Sequence, residues 1–539
     1  MNKDKNIKKY DRHKYYIEKN IRKYKMKLNK TKNTIRNMIW GVINKIIVII
    51  IPFLMRTLII KVLGSEYLGL NSLFTSILQI LNLTELGFSS AIVYSMYKPI
   101  AENDTQTMCA LLNLYKKVYR YIGIIILIVG LAIMPFLHKF INGSTPSDIN
   151  IYILYFIYLF NTVLSYLLFA YKTSILNAFQ RNDIISRINM ILQIIQAIIQ
   201  FVLLIVFKNY YLYVIIQPII TIANNIICAN EVKKKYPKYV PKGNVSLEIK
   251  ADLKKRVAGL FVYKICGTTR NALDSIFISS FLGLTTVAIY NNYYLIMNAI
   301  ISIMSIITVS MLSGIGNSIV INSVDKNYND MKKFNFMYMW IAGWCTTCLL
   351  CLYQPFMKLW MGQDYMLPMS CVITMCLYFY ALKMGDIRAA YSDAAGLWWE
   401  TRYRAIAESI ANCVLNYFLG KYFGLIGIIL ATLISLLIIN FGYGSSIIFK
   451  YYFKDMQLSE YYKSNLKYFL ITLLIGIITY AICNFFKSNG ILTFIIKGII
   501  CIVVPNIIYI FVYRKEEMFN ESKDFIFNLF DKFKKKVRN

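Results

Sequence analysis

MIWGVINKIIVIIIPFLMRTLIIKV, residues 38–62, is a run of apolar residues long enough to cross a membrane. An α-helix rises about 1.5 Å per residue, so roughly 20 residues span a hydrocarbon core that is about 30 Å thick. The run also carries Lys45, Arg56 and Lys61, and charges at membrane depth are costly and usually functional. Because similar runs recur along the chain, the sequence predicts an all-α polytopic membrane protein.

The apolar runs predict about 14 transmembrane helices, and a polar break divides them into two sets. The spans are 38–62, 69–97, 119–138, 150–171, 186–207, 209–230, 257–281, 287–312, 336–356, 370–394, 404–420, 424–449, 467–486 and 490–513. The longest break between spans is residues 231–256. We predict a basic N-terminal tail (1–37), a six-helix lobe (38–230), a cytoplasmic linker (231–256), a second six-helix lobe (257–449), a final helix pair (450–513) and a basic C-terminal tail (514–539).

The chain has 539 residues with a net charge of +33, 57% hydrophobic residues and a mean hydropathy of +0.50. That apolar share excludes a disordered basic protein, and the repeated long apolar runs argue against a nucleic-acid binder. Of its 60 Lys and Arg residues, 47 fall on one side of the predicted spans, five on the other, and eight in the interior of spans. The 47 include four residues at span ends, namely Arg120, Arg187, Arg404 and Lys467. Basic residues favour the cytoplasmic side. Both termini are therefore predicted to be cytoplasmic.

A weak internal repeat relates the two sets of helices. A shift of 219 residues places Lys45 on Lys264 and the pair Leu63-Gly64 on Leu282-Gly283. Each set starts inside and has six spans, so the two lobes would run parallel, with a substrate held between them during alternating access.

Basic residues inside the spans indicate a cavity for an anionic substrate. Lys45 and Arg56 are 11 residues apart, which places them on one helical face. Guanidinium groups bind phosphate oxygens bidentately, and ammonium groups act as point charges. The candidate substrate-binding residues are Lys45, Arg56, Lys264, Arg270, Lys383 and Arg388.

Acidic residues inside the spans are candidates for coupling transport to H⁺ or Na⁺. They are Glu85, Asp274, Asp386, Asp393 and Glu408. The chain contains no P-loop, so we expect an ion gradient rather than ATP hydrolysis to drive transport. Two pairs, Arg270–Asp274 and Lys383–Asp386, are equally consistent with a structural salt bridge, because residues three or four apart on a helix can pair.

Cysteine and histidine patterns predict no metal site and no cofactor. Cys345, Cys348 and Cys351 have C-x2-C-x2-C spacing, but no C-x3-C-P continuation follows, and buried thiols usually act as small hydrophobic groups. The two histidines, His13 and His138, have no metal-ligand spacing.

Residues 56–104, RTLIIKVLGSEYLGLNSLFTSILQILNLTELGFSSAIVYSMYKPIAEND, followed by LLNLYKKVYRYIG at 111–123, resemble the Wzx-type polysaccharide flippases. These belong to the multidrug/oligosaccharidyl-lipid/polysaccharide exporter superfamily. The resemblance implies a V-shaped bundle of two lobes in the bacterial cytoplasmic membrane. It also implies transport of an undecaprenyl-diphosphate-linked oligosaccharide from the inner to the outer leaflet, alongside a polysaccharide polymerase and other assembly proteins. By position it points to Arg56 for the diphosphate, and to Asp274 and Glu408 for cation coupling.

Two other functions remain open. A cation-coupled drug or metabolite exporter of the same fold should have an acidic or aromatic cavity, whereas residues 38–62 are cationic. A membrane polysaccharide polymerase or glycosyltransferase should have a large outer loop or an outer catalytic acid, whereas the predicted outer loops are short. We therefore predict a transporter without enzymatic activity.

Overall fold

A computed structural model describes residues 36–37, 39–85, 88–486 and 490–538, and this part of the chain is almost entirely helical and contains no strand. The helices are α1 (Ile39–Val62), α2 (Ser65–Leu81), α3 (Phe88–Glu102), α4 (Thr105–Ile133), α5 (Ile151–Leu167), α6 (Thr173–Ala178), α7 (Asn182–Phe207), α8 (Tyr210–Lys235), α9 (Leu247–Leu282), α10 (Leu284–Ile321), α11 (Val324–Trp360), α12 (Met369–Met384), α13 (Asp386–Ala394), α14 (Arg402–Ser435), α15 (Gly444–Tyr451), α16 (Leu458–Asn484), α17 (Ile491–Tyr513) and α18 (Glu517–Arg538). A π-helix, Leu436–Tyr443, joins α14 to α15.

Apolar side chains cover the outside of many helices, as a lipid-facing surface requires. On α7, for example, Ile198 is 58% exposed and Val206 64% exposed. Soluble proteins rarely expose apolar surface of this extent to water, whereas such a surface is favourable in contact with lipid. The outward-facing apolar side chains of individual helices therefore agree with the predicted all-α membrane fold.

The predicted number of 14 spans is not confirmed. Within the described residues, ten helices are long and apolar enough to cross a membrane, or eleven if the bent pair α5 and Ala170–Ala178 is one span. The predicted span 69–97 is divided between α2 and α3. The helix α9, which carries Lys264, Arg270 and Asp274, is not among these ten. Predicted spans 404–420 and 424–449 lie in one stretch, Arg402–Tyr451, which Gly424 interrupts with φ of +60°.

Contacts divide the chain into two compact units. Unit 1 comprises the described residues of Met1–Val62, Gly87–Ala132 and Ile153–Val257. Unit 2 comprises those of Leu63–Leu86, Ile133–Tyr152 and Ala258–Asn539. Two segments from the first half of the chain therefore group with the second half. The predicted boundaries of lobes and tails otherwise stay a prediction.

In unit 1, the start of α7 is tied to the residues just before α1. The buried Asp183 carboxylate accepts hydrogen bonds from Arg36 at 2.7 Å and from Arg181 at 2.8 Å. The side-chain oxygen of Asn37 accepts a hydrogen bond from the Asp183 backbone N–H at 2.7 Å. Together these contacts satisfy a buried charge and an unpaired N–H at the start of a helix.

In unit 2, α2 packs closely against α10, and α11 contacts α12, α16 and α17. A side chain at Gly69 on α2 would lie 2.3 Å from the backbone oxygen of Leu284, so only glycine fits there. Gly343 on α11 also marks a close approach, because a Cβ atom there would lie 2.1 Å from the Tyr509 hydroxyl and would have to displace that side chain. Small residues at such points let membrane helices approach each other.

The Leu-Gly turns of the predicted repeat have matching geometry. Gly64 immediately precedes α2 with φ of 117° and ψ of 170°, and Gly283 immediately precedes α10 with φ of 85° and ψ of 174°. Both φ values lie in the region that favours glycine. The helices that follow begin side by side, because the hydroxyls of Ser65 and Thr285 are 3.2 Å apart.

Candidate functional site

Three buried arginines and one buried glutamate form a cluster in unit 2. The Glu408 carboxylate on α14 accepts hydrogen bonds from Arg270 on α9 and, at 2.7 Å, from Arg404. It also accepts one from the Asn440 amide at 2.9 Å. Arg388 on α13 donates to the backbone oxygen and to the side-chain oxygen of Asn440, both at 3.1 Å. We call these five residues the arginine cluster.

Two local features of the backbone make room for the arginine cluster. Asn440 lies in the π-helix, a rare form that often marks functional positions. Gly385 and Gly444 flank Arg388, and Cβ atoms there would lie 3.0 Å and 2.5 Å from its guanidinium nitrogens. A larger residue at Gly444 would therefore displace Arg388 from its position.

The arginine cluster carries an excess of positive charge. Arg270, Arg388 and Arg404 are each less than 10% exposed, and Glu408 is 1% exposed. Asp274, one turn from Arg270 on α9, is near enough to act on it electrostatically. Three cations therefore face two carboxylates among these residues. Guanidinium groups form charge-assisted, often bidentate hydrogen bonds with carboxylate and phosphate oxygens, so a group of three buried arginines is chemically suited to an anion.

Asp274 has a polar environment of its own made of neutral groups. Its carboxylate accepts hydrogen bonds from Asn416 at 2.8 Å, Thr432 at 3.1 Å and Tyr290 at 3.3 Å. Asn412 in turn donates to Thr432 at 2.9 Å. We call these five residues the Asp274 site. All five are buried, and their oxygens are the hard ligands that a small cation or a proton would use.

Of the two pairs that were equally consistent with a structural salt bridge, Arg270–Asp274 does not form one among the described residues. The salt-bridge partner of Arg270 is Glu408, which lies 138 residues away in the chain, and the hydrogen bonds to Asp274 come from neutral groups. The pairing of Lys383 with Asp386 is confirmed, with 2.7 Å between Nζ and the carboxylate, and the Tyr338 hydroxyl also donates to Asp386 at 2.5 Å. The Lys383 charge is thus locally neutralised.

In unit 1, Arg56 lies beside an aromatic group of residues on α5 and α8. It interacts electrostatically with the hydroxyls of Tyr210 and Tyr213, and the hydroxyls of Tyr210 and Tyr158 are 3.1 Å apart. Lys45, three turns earlier on α1, is partly exposed. This group in unit 1 combines a guanidinium group with tyrosine hydroxyls.

Three further residues were predicted as site residues: Glu85, Asp393 and Lys264. Glu85 ends the short helical turn Asn82–Glu85 and is partly exposed. Asp393 lies near the end of α13 and is also partly exposed. Lys264 lies on α9, but its side chain is outside the described residues.

A family model supplies the identification. Residues 34–313, more than half of the chain, match the model described as polysaccharide biosynthesis protein. The chain belongs to the polysaccharide biosynthesis protein family. No curated protein matches the sequence.

Solved transporter structures share the fold of this family member. The lipid II flippase MurJ in an inward closed conformation matches with a TM-score of 0.63 and 19% identity, covering 89% of this chain and 99% of that one. An inward-facing multidrug resistance MATE family transporter of the MOP superfamily matches with a TM-score of 0.58 and 14% identity, covering 76% and 94%. A mutant of the Vibrio cholerae MATE transporter VcmN matches with a TM-score of 0.53 and 13% identity, covering 80% and 99%. The predicted membrane-transporter fold is confirmed.

Sequence reasoning missed several members of the clusters in this family member. Arg404 was counted as a cytoplasmic residue, although Arg404, Glu408, Asn412 and Asn416 follow one another at intervals of four on α14. That interval places side chains on one helical face, so the stripe was visible in the sequence. No comparable signal marks Asn440 or Thr432.

Proposed function

We propose that the chain is a flippase that moves an undecaprenyl-diphosphate-linked oligosaccharide from the inner to the outer leaflet of the bacterial cytoplasmic membrane. The observation that carries the proposal is the group of three buried arginines, Arg270, Arg388 and Arg404, in a fold shared with a lipid II flippase. A diphosphate is the anionic part of such a lipid, and guanidinium groups complement its oxygens. Both termini would face the cytoplasm.

Arg56 is the leading candidate for binding the diphosphate, and Lys45 is the second. Arg56 has the hydroxyls of Tyr210 and Tyr213 beside it, and these hydroxyls can donate to phosphate oxygens together with the guanidinium group. Arg270 and Arg388 are held near Glu408, directly or through Asn440, so they would contribute long-range attraction. Lys383 is the weakest candidate, because Asp386 neutralises it.

We propose further that Asp274 binds the coupling cation. The side-chain oxygen of Asn416 is buried without a hydrogen-bond partner among the described residues, which leaves a lone pair for an ion. Thr432 and Tyr290 supply two more oxygens beside the carboxylate. Asp386 and Glu408 are held by salt bridges, which makes them weaker coupling candidates, and Glu85 and Asp393 are more exposed.

A cation-coupled drug or metabolite exporter is the second candidate. It is favoured by the structural match to the MATE family transporter. A cationic drug would be repelled by Arg56 and by the positive excess of the arginine cluster. The two functions differ in cargo charge, and no covalent chemistry is proposed for either.

The main experiment deletes the gene and analyses the lipid carrier. Accumulation of a lipid-linked oligosaccharide that only cytoplasmic-side reagents can reach would support the flippase, and its mass would identify the cargo. Loss of resistance to cationic drugs with an unchanged lipid pool would support the exporter instead.

A second experiment tests the coupling cation. Purified protein in liposomes is assayed for flipping under separate Na⁺ and H⁺ gradients. Asp274→Asn should abolish the dependence on the driving gradient, whereas Asp364→Asn, in the exposed turn Gln363–Tyr365, should leave it intact. An unaltered gradient response in Asp274→Asn would remove Asp274 from the coupling role.

A further inference from the structure

Three thiols from three different helices meet in unit 2. Cys351 on α11, Cys483 on α16 and Cys501 on α17 have sulfur atoms that all lie within 4.8 Å of one another. Their exposed fractions are 3%, 1% and 0%, and none forms a disulfide. The C-x2-C-x2-C pattern of the sequence contributes only Cys351 to this group.

The spacing of the three sulfur atoms is close to that of a zinc site. A zinc–sulfur bond is about 2.3 Å, so tetrahedral coordination places its sulfur ligands about 3.8 Å apart. The sulfur atoms need to approach each other by no more than about 1 Å, which small side-chain rotations supply. Cys348 is not positioned as a fourth ligand, because its thiol donates to the backbone oxygen of Cys501 at 3.8 Å.

A cavity next to Cys351 offers both an entry path and a fourth ligand. Its volume is about 220 Å³, and its lining includes Cys351, Gln354, Tyr480 and Lys497. Zinc sites with three protein ligands keep the fourth position for water. A cavity of this size, with polar groups on its wall, has room for several water molecules.

The charge balance favours a divalent ion. Three thiolates and one Zn²⁺ leave a charge of −1, and Lys497 lies near enough to Cys483 to act on it electrostatically. A monovalent ion would leave −2 beside the same lysine. Lys497 is otherwise an isolated cation on the apolar helix α17, where a charge costs about 2.5–3.5 kcal/mol. A metal–thiolate group would supply its counterion.

We propose that Cys351, Cys483 and Cys501 bind one Zn²⁺ ion as thiolates, with water from the adjacent cavity as the fourth ligand. Binding forms three zinc–sulfur bonds and releases three thiol protons, and no oxidation is involved. Because the ligands come from α11, α16 and α17, the ion would fasten the last two membrane helices to the rest of unit 2.

The proposal is tested on the full chain, purified in detergent with a non-thiol reductant. Zn²⁺ affinity is measured by competition with a chromophoric chelator, and Cd²⁺ is used to record the thiolate-to-metal charge-transfer absorption. We expect one ion per chain with the intensity of three thiolates. Cys351→Ala and Cys483→Ala should each weaken Zn²⁺ binding by more than about 100-fold, because each removes a direct ligand.

Matched controls separate the site from ordinary packing of thiols. Cys371 is also buried in unit 2 but lies on α12 outside the group, so Cys371→Ala should bind Zn²⁺ like the natural chain. Lys497→Met keeps all three thiols and should weaken binding by about 10-fold. Absence of stoichiometric Zn²⁺ in the natural chain overturns the proposal even if the cysteine variants fail to fold. So does equal loss of binding in Cys371→Ala, or binding of Cu⁺ without Zn²⁺.

Discussion

At the scale of single residues, Glu408 holds the arginine cluster together. Its two carboxylate oxygens accept hydrogen bonds from Arg270, Arg404 and the amide of Asn440. The Glu408 side chain is 1% exposed. Removing one partner of a buried ion pair leaves the other charge uncompensated. We expect Glu408→Gln to lower the free energy of unfolding by about 3–5 kcal/mol, measured by thermal or denaturant unfolding in detergent.

A double-mutant cycle checks the physical cause of that loss. Adding Arg270→Gln to the Glu408→Gln variant removes one of the cations that lost its carboxylate partner. The double variant should therefore regain part of the lost stability, so that the effects of the two substitutions are not additive. Additive losses from the two substitutions would show that charge compensation is not what Glu408 provides.

The cations of α1 allow a second test at this scale. Arg56→Ala or Lys45→Ala should stop transport of the lipid-linked cargo without reducing membrane insertion, because the diphosphate loses a charge-assisted contact. Lys61→Ala, on the same helix at an exposed position, is the control and should leave transport unchanged. Unchanged polymer export in the Arg56→Ala and Lys45→Ala strains would contradict the binding role. Flipping assays and membrane fractionation measure the two effects separately.

The residues that sequence could predict are those whose partners are local. Lys383 and Asp386 are three positions apart on adjoining helical turns, so their pairing follows from spacing. The same spacing argument allowed a salt bridge between Arg270 and Asp274. In the structure, tertiary packing places Glu408 beside Arg270, and the salt bridge forms between these two residues. Spacing along one helix cannot show which side chain a distant helix presents.

At the scale of elements, apolar length predicted the helices well but not their interruptions. The predicted span 38–62 agrees almost residue for residue with α1 (Ile39–Val62). A helix forms here because backbone N–H and C=O groups in lipid must all be hydrogen-bonded within the chain. The interruption at Gly424 depends on the backbone angles of a single residue within apolar sequence. Hydropathy averages over such local changes, so the number of spans was not predictable from it.

The contact between α2 and α10 makes a prediction about close packing. A Cβ atom at Gly69 would lie 2.3 Å from a backbone oxygen of α10, and backbone cannot rotate away as a side chain can. Gly69→Ala should lower the free energy of unfolding by about 1–3 kcal/mol. The measurement is thermal unfolding in detergent.

Gly314→Ala on α10 is the control for helix propensity. Nothing lies within 4 Å of a Cβ atom placed at Gly314, so this variant should be neutral or slightly stabilised. Because alanine favours the helix at both positions, the difference between the two variants isolates the steric contact. Equal stability of the two variants would show that α2 and α10 can separate without cost.

At the scale of the whole molecule, the charge of +33 is explained by where its basic residues lie along the chain. Of 60 Lys and Arg residues, 47 lie in segments predicted to be cytoplasmic and five in predicted outer loops. The cytoplasmic leaflet is anionic and attracts such segments. The same count that suggests nucleic-acid binding in a soluble protein therefore predicts the orientation of this membrane protein.

Reporter fusions test that orientation. A reporter joined after residue 145 should be outside, after 245 inside and after 363 outside, as judged by a pair of reporters active on opposite sides. The segments containing 145 and 363 are short and carry few basic residues, whereas residues 233–235 and the stretch that follows are strongly basic. Basic segments are translocated across the membrane less readily than segments with few basic residues. The basic linker is therefore expected to stay inside, whereas either short loop can be outside. An inverted result at any one of the three positions would break the alternation on which the flipping direction depends, because cytoplasmic loading of the cargo requires the basic linker to be inside.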